Sequence, residues 1–293
     1  MTLIADSGST KTTWVCLPKN IEAGQQLTPT NSLGINPIRD NEETIAKAIE
    51  RGRESLYQQT VSTHGNPFTP EEIHRVYFYG AGCIPPYSTT VKHLLQRAYP
   101  NAKVVVESDM LGAALALCGH SEGIACILGT GSNSCLFDGE KIVAQTPALG
   151  FILGDEGSGA SLGKRLVGDI LKKQLPEELQ KAFLDEVQLS QSDIINRVYR
   201  QPQPNMFLAS LTPFLDQHRD HKAIHHLLVE EFRRFLQRNI RNYDRPELPI
   251  HFVGGITATF GEELREAIEM EGLVMGKVLS RPISGMAEYH SSC

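Results

Sequence analysis

Residues 3–17 constrain the fold more than any other stretch. A short apolar run, Leu3-Ile4-Ala5, ends on Asp6. A turn of small and polar residues follows, Ser7-Gly8-Ser9-Thr10-Lys11, and then a second apolar run, Trp14-Val15-Cys16-Leu17. Two apolar runs about a glycine-containing turn read as a β-hairpin. Small side chains let the turn backbone come close to a ligand, and successive N–H groups in such a turn form an anion-binding concavity. A carboxylate at the strand end can hold hydrated Mg²⁺ beside a phosphate. Strand, phosphate turn and acid together point to nucleotide chemistry.

The same pattern recurs about 120 residues later. Ile124 to Leu128 reads as a buried strand that runs into Gly129-Thr130-Gly131-Ser132-Asn133-Ser134 and a second strand. A single such turn is weak evidence. Two in matching contexts suggest two related domains that clamp one polyphosphate between them.

The rest of the chain alternates short strands and helices. Thr69-Pro70-Glu71-Glu72 has the form of a capping box with proline at the first helical position. Val76-Tyr77-Phe78-Tyr79 is strand-like and ends at Gly80-Ala81-Gly82. Thr89 to Ala98 is helix-like. Lys103 to Glu107 is a strand followed by a small-residue helix from Met110 to Cys118, and Asp138-Gly139 marks a hairpin. Residues 60–70 read as a surface loop. From Leu162 to Arg241 the pattern is mostly helical, and Pro249–Val253 is a late strand, followed by Gly254-Gly255 and a helix through Glu271. The class is mixed α/β.

A chain of 293 residues accommodates two domains of ordinary size. The net charge of −6 argues against nucleic acid or an anionic membrane as a general partner. It does not bear on ATP, which backbone groups and a metal hold locally. No run of about 18 apolar residues occurs, so no transmembrane helix is expected. No basic segment with an apolar stretch opens the chain, and the first strand starts almost at Met1, so no leader is expected. Cys16, Cys83, Cys118, Cys126, Cys135 and Cys293 form no CxxC pair and lie mostly in apolar segments. They read as buried thiols of a reducing cytoplasm rather than as zinc or iron–sulfur ligands.

Three further features could carry chemistry. Asp109 falls where a strand meets a helix, a place suited to a base that accepts a hydroxyl proton and equally to an N-cap. Gly154-Asp155-Glu156-Gly157-Ser158-Gly159 presents two adjacent carboxylates able to accept hydrogen bonds from sugar hydroxyls. It is not a P-loop, because Gly157 and Gly163 stand one residue too far apart and Lys164 is followed by Arg165. His218, His221, His225 and His226 include an i, i+4 pair, but their neighbours Arg219, Asp220 and Lys222 mark a solvated helix face rather than a metal site.

In order, Asp6-Ser7-Gly8-Ser9-Thr10-Lys11, Asp109, Gly129-Thr130-Gly131-Ser132-Asn133, Gly154-Asp155-Glu156-Gly157-Ser158 and Gly254-Gly255-Ile256 form a constellation. It resembles the N-acetylglucosamine kinase branch of the BadF/BadG/BcrA/BcrD ATPase family, within the actin/hexokinase/Hsp70 superfamily, over nearly the whole chain. The two phosphate turns are shared across the superfamily, whereas GDEGS combined with GTGSN is specific to the amino-sugar kinase branch. The first turn departs from the common DGGGT form, but Ser7 and Ser9 are small enough for the same geometry.

The resemblance implies two ribonuclease H-like domains, each a five-stranded mixed sheet flanked by helices, with the nucleotide cleft between them. They would span residues 1–115 and 116–293, the second carrying a helical insertion over 162–245, with the last helix packing back on the first domain. Asp6 would hold Mg²⁺, and Ser7, Gly8, Ser9, Thr10 and Lys11, with Gly129, Thr130 and Gly131, would cradle the phosphates of ATP. Gly254 and Gly255 would lie against adenosine. Asp109 would deprotonate the sugar 6-hydroxyl, and Asn36, Ser132, Asn133 and Asp155 would contact the sugar.

The implied reaction is transfer of a phosphoryl group from ATP to an N-acetylated amino sugar in the cytoplasm, with N-acetylglucosamine, N-acetylmuramic acid and glucosamine as candidate acceptors. A homodimer is compatible with the resemblance. An ATPase that activates a partner enzyme is the alternative. Those relatives need cluster-binding cysteines, and Cys118-Gly119 is followed by no well-placed second thiol. A sugar-responsive DNA-binding regulator ranks last for a chain that is acidic and shows no helix-turn-helix.

Overall fold

The computed structural model describes residues 1–8, 10–18, 28–64 and 69–291. It divides into two compact units, Met1–His120 with Pro282–Cys293, and Ser121–Arg281. Each unit carries one five-stranded mixed sheet flanked by helices, as the resemblance implies.

In the first unit the strands are β1 (Thr2–Ser7), β2 (Lys11–Leu17), β3 (Thr30–Leu33), β4 (Arg75–Gly80) and β5 (Lys103–Ser108). Their order is β3-β2-β1-β4-β5. The first three form an antiparallel meander, while β4 and β5 run parallel to β1. Helices α1 (Glu42–His64), α2 (Ser88–Ala98), α3 (Asp109–Cys118) and the C-terminal helix (Ile283–Ser291) complete the unit. Strand β1 is central, so Leu3, Ile4 and Ala5 are all buried, and its sequence shows an apolar run rather than an alternation. Trp14 lies at the heart of this core. Its indole N–H donates to Ser32 Oγ at 2.9 Å, and its ring lies against Gly52 of α1, where a Cβ would come within 2.5 Å of the indole nitrogen. That contact explains a glycine in the middle of a helix.

The second unit repeats the plan. Its strands are β6 (Gly123–Leu128), β7 (Ser132–Phe137), β8 (Ile142–Thr146), β9 (Pro249–Val253) and β10 (Val274–Leu279), in the order β10-β9-β6-β7-β8. Again a three-strand antiparallel meander is extended by two strands parallel to its first member. Between β8 and β9 lie α4 (Gly150–Leu153), α5 (Gly159–Leu171), α6 (Glu177–Val187), α7 (Gln191–Tyr199), α8 (Pro204–Ala209), α9 (Thr212–Gln217) and α10 (Lys222–Phe235). A π-turn (Leu236–Ile240) and a 3₁₀ turn (Arg241–Tyr243) follow α10, and α11 (Gly255–Thr259) and α12 (Gly261–Met270) follow β9. Phe183, Phe214, Phe232, Phe235, Phe252 and Phe260 are buried in one core with the aliphatic faces of α5, α10 and α12. Among the described residues no helix is long and apolar enough to cross a membrane. None of the five described cysteines forms a disulfide, and Cys293 lies outside the described residues.

Some expectations need correction. The stretch read as a loop over 60–70 begins as helix, because α1 continues through His64 and meets no glycine or proline between Gly52 and Gly65. The capping box at Thr69 closes a single 3₁₀ turn, Pro70–Glu72, in which the Glu72 carboxylate accepts the Thr69 N–H at 2.7 Å. Strands β3 and β10 had no sequence signal. The former is a four-residue polar edge strand, and the latter is an edge strand with a register shift between Met275 and Val278.

The C-terminal helix is fastened to the first sheet by His290. Its ring stacks on Tyr77 at 3.8 Å, and its Nε2 is hydrogen-bonded to Tyr79 Oη at 2.9 Å. Burial, helped by Arg75, pushes the imidazole down to about 4. The unfolded chain protonates this histidine near 6.5, so between those values it binds more protons than the folded one. The contribution is present above about 6.5 and is lost as pH falls through about 4. His290→Phe keeps the stack and removes the titration. Thermal unfolding should show the wild type losing Tm relative to this variant between pH 7 and pH 4.5. A difference independent of pH would sink the assignment.

Candidate active site

In the first unit the candidate residues gather at one edge of the sheet. The ends of β1, β4 and β5 are level, with Ser7 paired to Gly80 and Gly80 to Ser108. Asp6 stands one residue inside this edge and Asp109 one residue beyond it, at the start of α3. The cap of α3 is Ser108, whose Oγ accepts the Leu111 N–H at 3.2 Å. Asp109 is therefore not the N-cap residue, although its Oδ1 accepts the Met110 N–H at 2.9 Å.

Both carboxylates resist ionisation. Burial first, and then the charge of Asp109, push Asp6 up to about 7, against the pull of Lys11. Burial also raises Asp109, while backbone N–H groups oppose the shift. Two acids raised by burial, Asp6 further by the charge of Asp109, form a donor set suited to a hydrated divalent cation. Cys83, next to this edge, is a buried thiol pushed up to about 12 by burial and by Asp109, so it is no nucleophile at neutral pH.

The β1–β2 turn is held from behind. The Gly8 N–H closes it on the Lys11 carbonyl at 3.0 Å. The Ser7 hydroxyl is buried, bonded to Thr12 Oγ1 at 2.7 Å, and accepts the Ile35 N–H at 2.9 Å. The Gly34 N–H donates to the Thr10 carbonyl at 3.0 Å. A Cβ on Gly34 would come within 2.4 Å of the Gly8 carbonyl, so residues 34–36 pack directly on the turn. That places Asn36 beside it. The Asn36 N–H donates to Asp40 Oδ2 at 2.9 Å, and its Oδ1 accepts the Ile38 N–H at 3.1 Å. Ser9 lies outside the described residues.

In the second unit the β6–β7 turn sits on the start of α5. The carbonyls of Gly129 and Thr130 accept the N–H groups of Gly159 and Ala160 at 2.8 and 3.0 Å. Asp155 leans over this turn in a left-handed conformation, φ 59°. Its Oδ1 accepts the Ser132 N–H at 3.3 Å, and a Cβ on Gly131 would meet its Oδ2 at 3.0 Å. Asn133 Oδ1 accepts from Gln145 Nε2 at 2.9 Å. At the end of β9, level with β6, Gly254 has φ 133°, and its Cβ position falls 2.1 Å from the Leu128 carbonyl. Nothing lies within 4 Å of the Cβ positions of Gly129 and Gly255, so both backbones are open to an approaching ligand. The structure thus brings Gly129–Asn133, Asp155, Gly254 and Gly255 to one edge.

The adjacent acids of GDEGS do not act as a pair. Burial raises Asp155, with help from Glu156 and against the Ser132 N–H and Lys164. Burial also works on Glu156, but backbone and Arg238 hydrogen bonds prevail and hold it below the usual range. Its carboxylate is ion-paired with Arg238. Sequence reasoning missed Glu231, a fully buried acid of α10 that accepts from Ser161 Oγ at 2.6 Å and the Gly157 N–H at 3.3 Å. No local spacing announces a contact across 70 residues or more.

The histidines serve separate ends. His221 caps α10 by accepting the Ala223 N–H at 3.1 Å, His225 pairs with Glu266 at 2.8 Å, and His218 packs on Phe214 at 4.4 Å. Among the described residues no group of three or more His, Cys, Asp or Glu is arranged to hold a metal ion.

No family model matches the chain. It is 46% identical to a Porphyromonas gingivalis protein of solved structure, provisionally named an N-acetylglucosamine kinase. That likeness covers 100% of this chain and 99% of that one, with a TM-score of 0.90. The chain is also similar to an N-acetylmuramic acid/N-acetylglucosamine kinase of Clostridium acetobutylicum, 36% identical over 118 residues. The match spans 38% of this chain and only 38% of that protein. A ROK family glucokinase of Streptomyces griseus, solved with glucose and AMPPNP, shares the fold with a TM-score of 0.60 at 16% identity, over 100% of this chain and 98% of the other.

The two neighbouring glycines should behave differently. Gly254→Ala forces a side chain into a positive-φ position against a carbonyl and should cost at least about 2 kcal/mol of stability. Gly255→Ala adds a methyl to open space and should change stability by less than about 0.5 kcal/mol. Thermal or urea unfolding of the two ligand-free variants checks this, and equal losses would contradict the geometry.

Proposed function

We propose that this chain, which belongs to the family of the N-acetylglucosamine kinase-like protein of Porphyromonas gingivalis, is an ATP-dependent carbohydrate kinase. Its acceptor is the 6-hydroxyl of an N-acetylated amino sugar, with N-acetylglucosamine first. Within that family we assign it to the N-acetylglucosamine kinase branch of the BadF/BadG/BcrA/BcrD ATPases, acting in the cytoplasm. The observation that carries this reading is the pair Asp6 and Asp109, two mutually repelling carboxylates at the level ends of β1 and β5.

Phosphoryl transfer needs positioning, charge neutralisation and one proton acceptor. Asp6, on the sheet edge beside the β1–β2 turn, would hold magnesium, which would supply positive charge that screens the carboxylates and the phosphate oxygens. The turn 7–11 and the turn 129–131 offer backbone to the phosphates, and Gly254 and Gly255 offer it to adenosine. Asn36, Ser132, Asn133 and Asp155 orient the sugar. Asp109 accepts the proton of the 6-hydroxyl as that oxygen bonds to the γ-phosphorus and the bond to the departing ADP oxygen breaks. A carboxyl raised by burial is a better base than an exposed one, provided the pH keeps it ionised.

Coupled ADP release with Mg·ATP should be stimulated strongly by one acetylated amino sugar in a panel containing N-acetylglucosamine, N-acetylmuramic acid, glucosamine and glucose. A rate unchanged across the panel would favour an ATPase that drives a partner. Asp109→Asn should lower kcat by about a thousandfold while leaving the nucleotide Kd nearly unchanged. Normal turnover in that variant would remove the base assignment. Asp6→Asn should impair Mg·ATP use with every acceptor, and an effect confined to one sugar's KM would place Asp6 elsewhere.

A further inference from the structure

Among the described residues the π-turn Leu236–Ile240 makes no side-chain hydrogen bond or ion pair to the residues assigned above to ligands, yet its side chains converge on the segments that carry them. Arg238 is ion-paired with one oxygen of Glu156, and Asn239 Nδ2 reaches the other at 3.5 Å. Neighbouring side chains on an α-helix diverge by about 100°, whereas here two neighbours serve one carboxylate. The Asn239 carbonyl accepts the Thr146 hydroxyl at 2.9 Å. In the 3₁₀ turn that follows, Tyr243 Oη accepts the Thr146 N–H at 3.0 Å and is bonded to Ser134 Oγ at 2.8 Å.

The turn is not a frayed helix end. Loosened carbonyls before and within it are satisfied by nearby amides: Asn239 Nδ2 donates to the carbonyl of Phe235, the last residue of α10, at 3.2 Å, and Asn242 Nδ2 of the 3₁₀ turn donates to the Arg238 carbonyl at 2.6 Å. It continues α10, whose Glu231 holds the Gly157 N–H and Ser161 from the same side. Gly157, at φ 73°, presses on Phe235, where a Cβ would stand 3.0 Å from the Phe235 Cβ. Three stretches therefore rest on one plate that comes from 80 or more positions away in sequence: Ser134, two residues after Ser132; Thr146 at the end of β8; and Glu156, next to Asp155.

We infer that this π-turn is a positioning device for the acceptor sugar, with Arg238 and Asn239 as its positioning residues. This rests on the reading of Asp155 as a sugar ligand. Arg238 acts through Glu156. Asp155 keeps its left-handed backbone because the residue after it is anchored by an ion pair and the residue beyond by Glu231 and Phe235. π-turns are kept where a helix must aim groups that regular geometry cannot. An aimed ligand loses effectiveness steeply with small displacements.

The test compares Arg238→Met, Arg238→Lys, Glu156→Gln and the double variant Glu156→Gln/Arg238→Met in the full chain. Arg238 is 59% exposed, so its loss leaves the core intact. Arg238→Met should raise the acceptor KM about tenfold with the ATP KM within about twofold, and Arg238→Lys should recover part of the loss. The double variant should be no worse than the poorer single one, because both remove the same contact. Hydrogen exchange should quicken over 154–159 in Arg238→Met with no sugar or nucleotide present. An unchanged acceptor KM, additive losses, equal shifts in both KM values, or unchanged exchange would each overturn the inference. A wild type inert toward every sugar would instead overturn the kinase reading, and exchange would still decide whether the turn fastens the loop.

Discussion

Two carboxylates that repel each other share one edge of the first sheet, and much of that unit serves to hold them there. Asp6 comes from the central strand and Asp109 from the first position of α3, just after the outermost parallel strand. Neither can retreat, since β1 is hydrogen-bonded on both sides and α3 is capped by Ser108 rather than by Asp109. The cost of burial appears in the raised proton affinity of both groups, and that of repulsion in the further rise of Asp6. It is sustained by the burial behind them, where Leu3, Trp14 and Phe78 fill the core that fixes β1, β2 and β4 in register. A pair strained in this way has most to gain from a cation, which is the general logic by which active sites store electrostatic free energy.

The second sheet uses the same strand order to a different end. Its edge carries glycines where the first carries acids. Gly254 is required by the chain itself, because a carbonyl fills the space a side chain would take, whereas Gly129 and Gly255 face open space. At those two positions packing does not require a glycine. The β6–β7 turn spends its carbonyls on the first turn of α5, which stiffens it.

Much of this was legible because the site hangs from the most strongly patterned strands. The buried runs around Leu3–Ala5, Val104–Val106 and Ile124–Leu128 mark strands whose ends are the candidate residues, so a motif read locally also falls at the right edge. Edge strands β3 and β10 were invisible, since a polar tetrapeptide and a glycine-bearing bulged strand lack apolar alternation. The residues that fasten the site were invisible for another reason. Arg238 meets Glu156 across 82 positions, and Tyr243 meets Ser134 across 109. Each looks like an ordinary helix residue until the chain is folded.

The contrast between the two acid pairs shows why sequence adjacency is a poor guide to partnership. Asp6 and Asp109 are over a hundred positions apart and behave as a pair, both pushed up, each through burial and Asp6 further through its partner. Asp155 and Glu156 are neighbours and are driven apart, one up and one down. The separation follows from conformation. The left-handed backbone at Asp155 turns consecutive side chains in different directions, one toward the Ser132 N–H and one toward Arg238. Neutralising Glu156 by a guanidinium also limits the charge it imposes on Asp155, which keeps that carboxylate available to accept hydrogen bonds. The adjacent acids therefore divide into one that lies over the β6–β7 turn and one that fastens the loop, and the fastening acid is the one whose loss the folded chain would feel with no ligand bound.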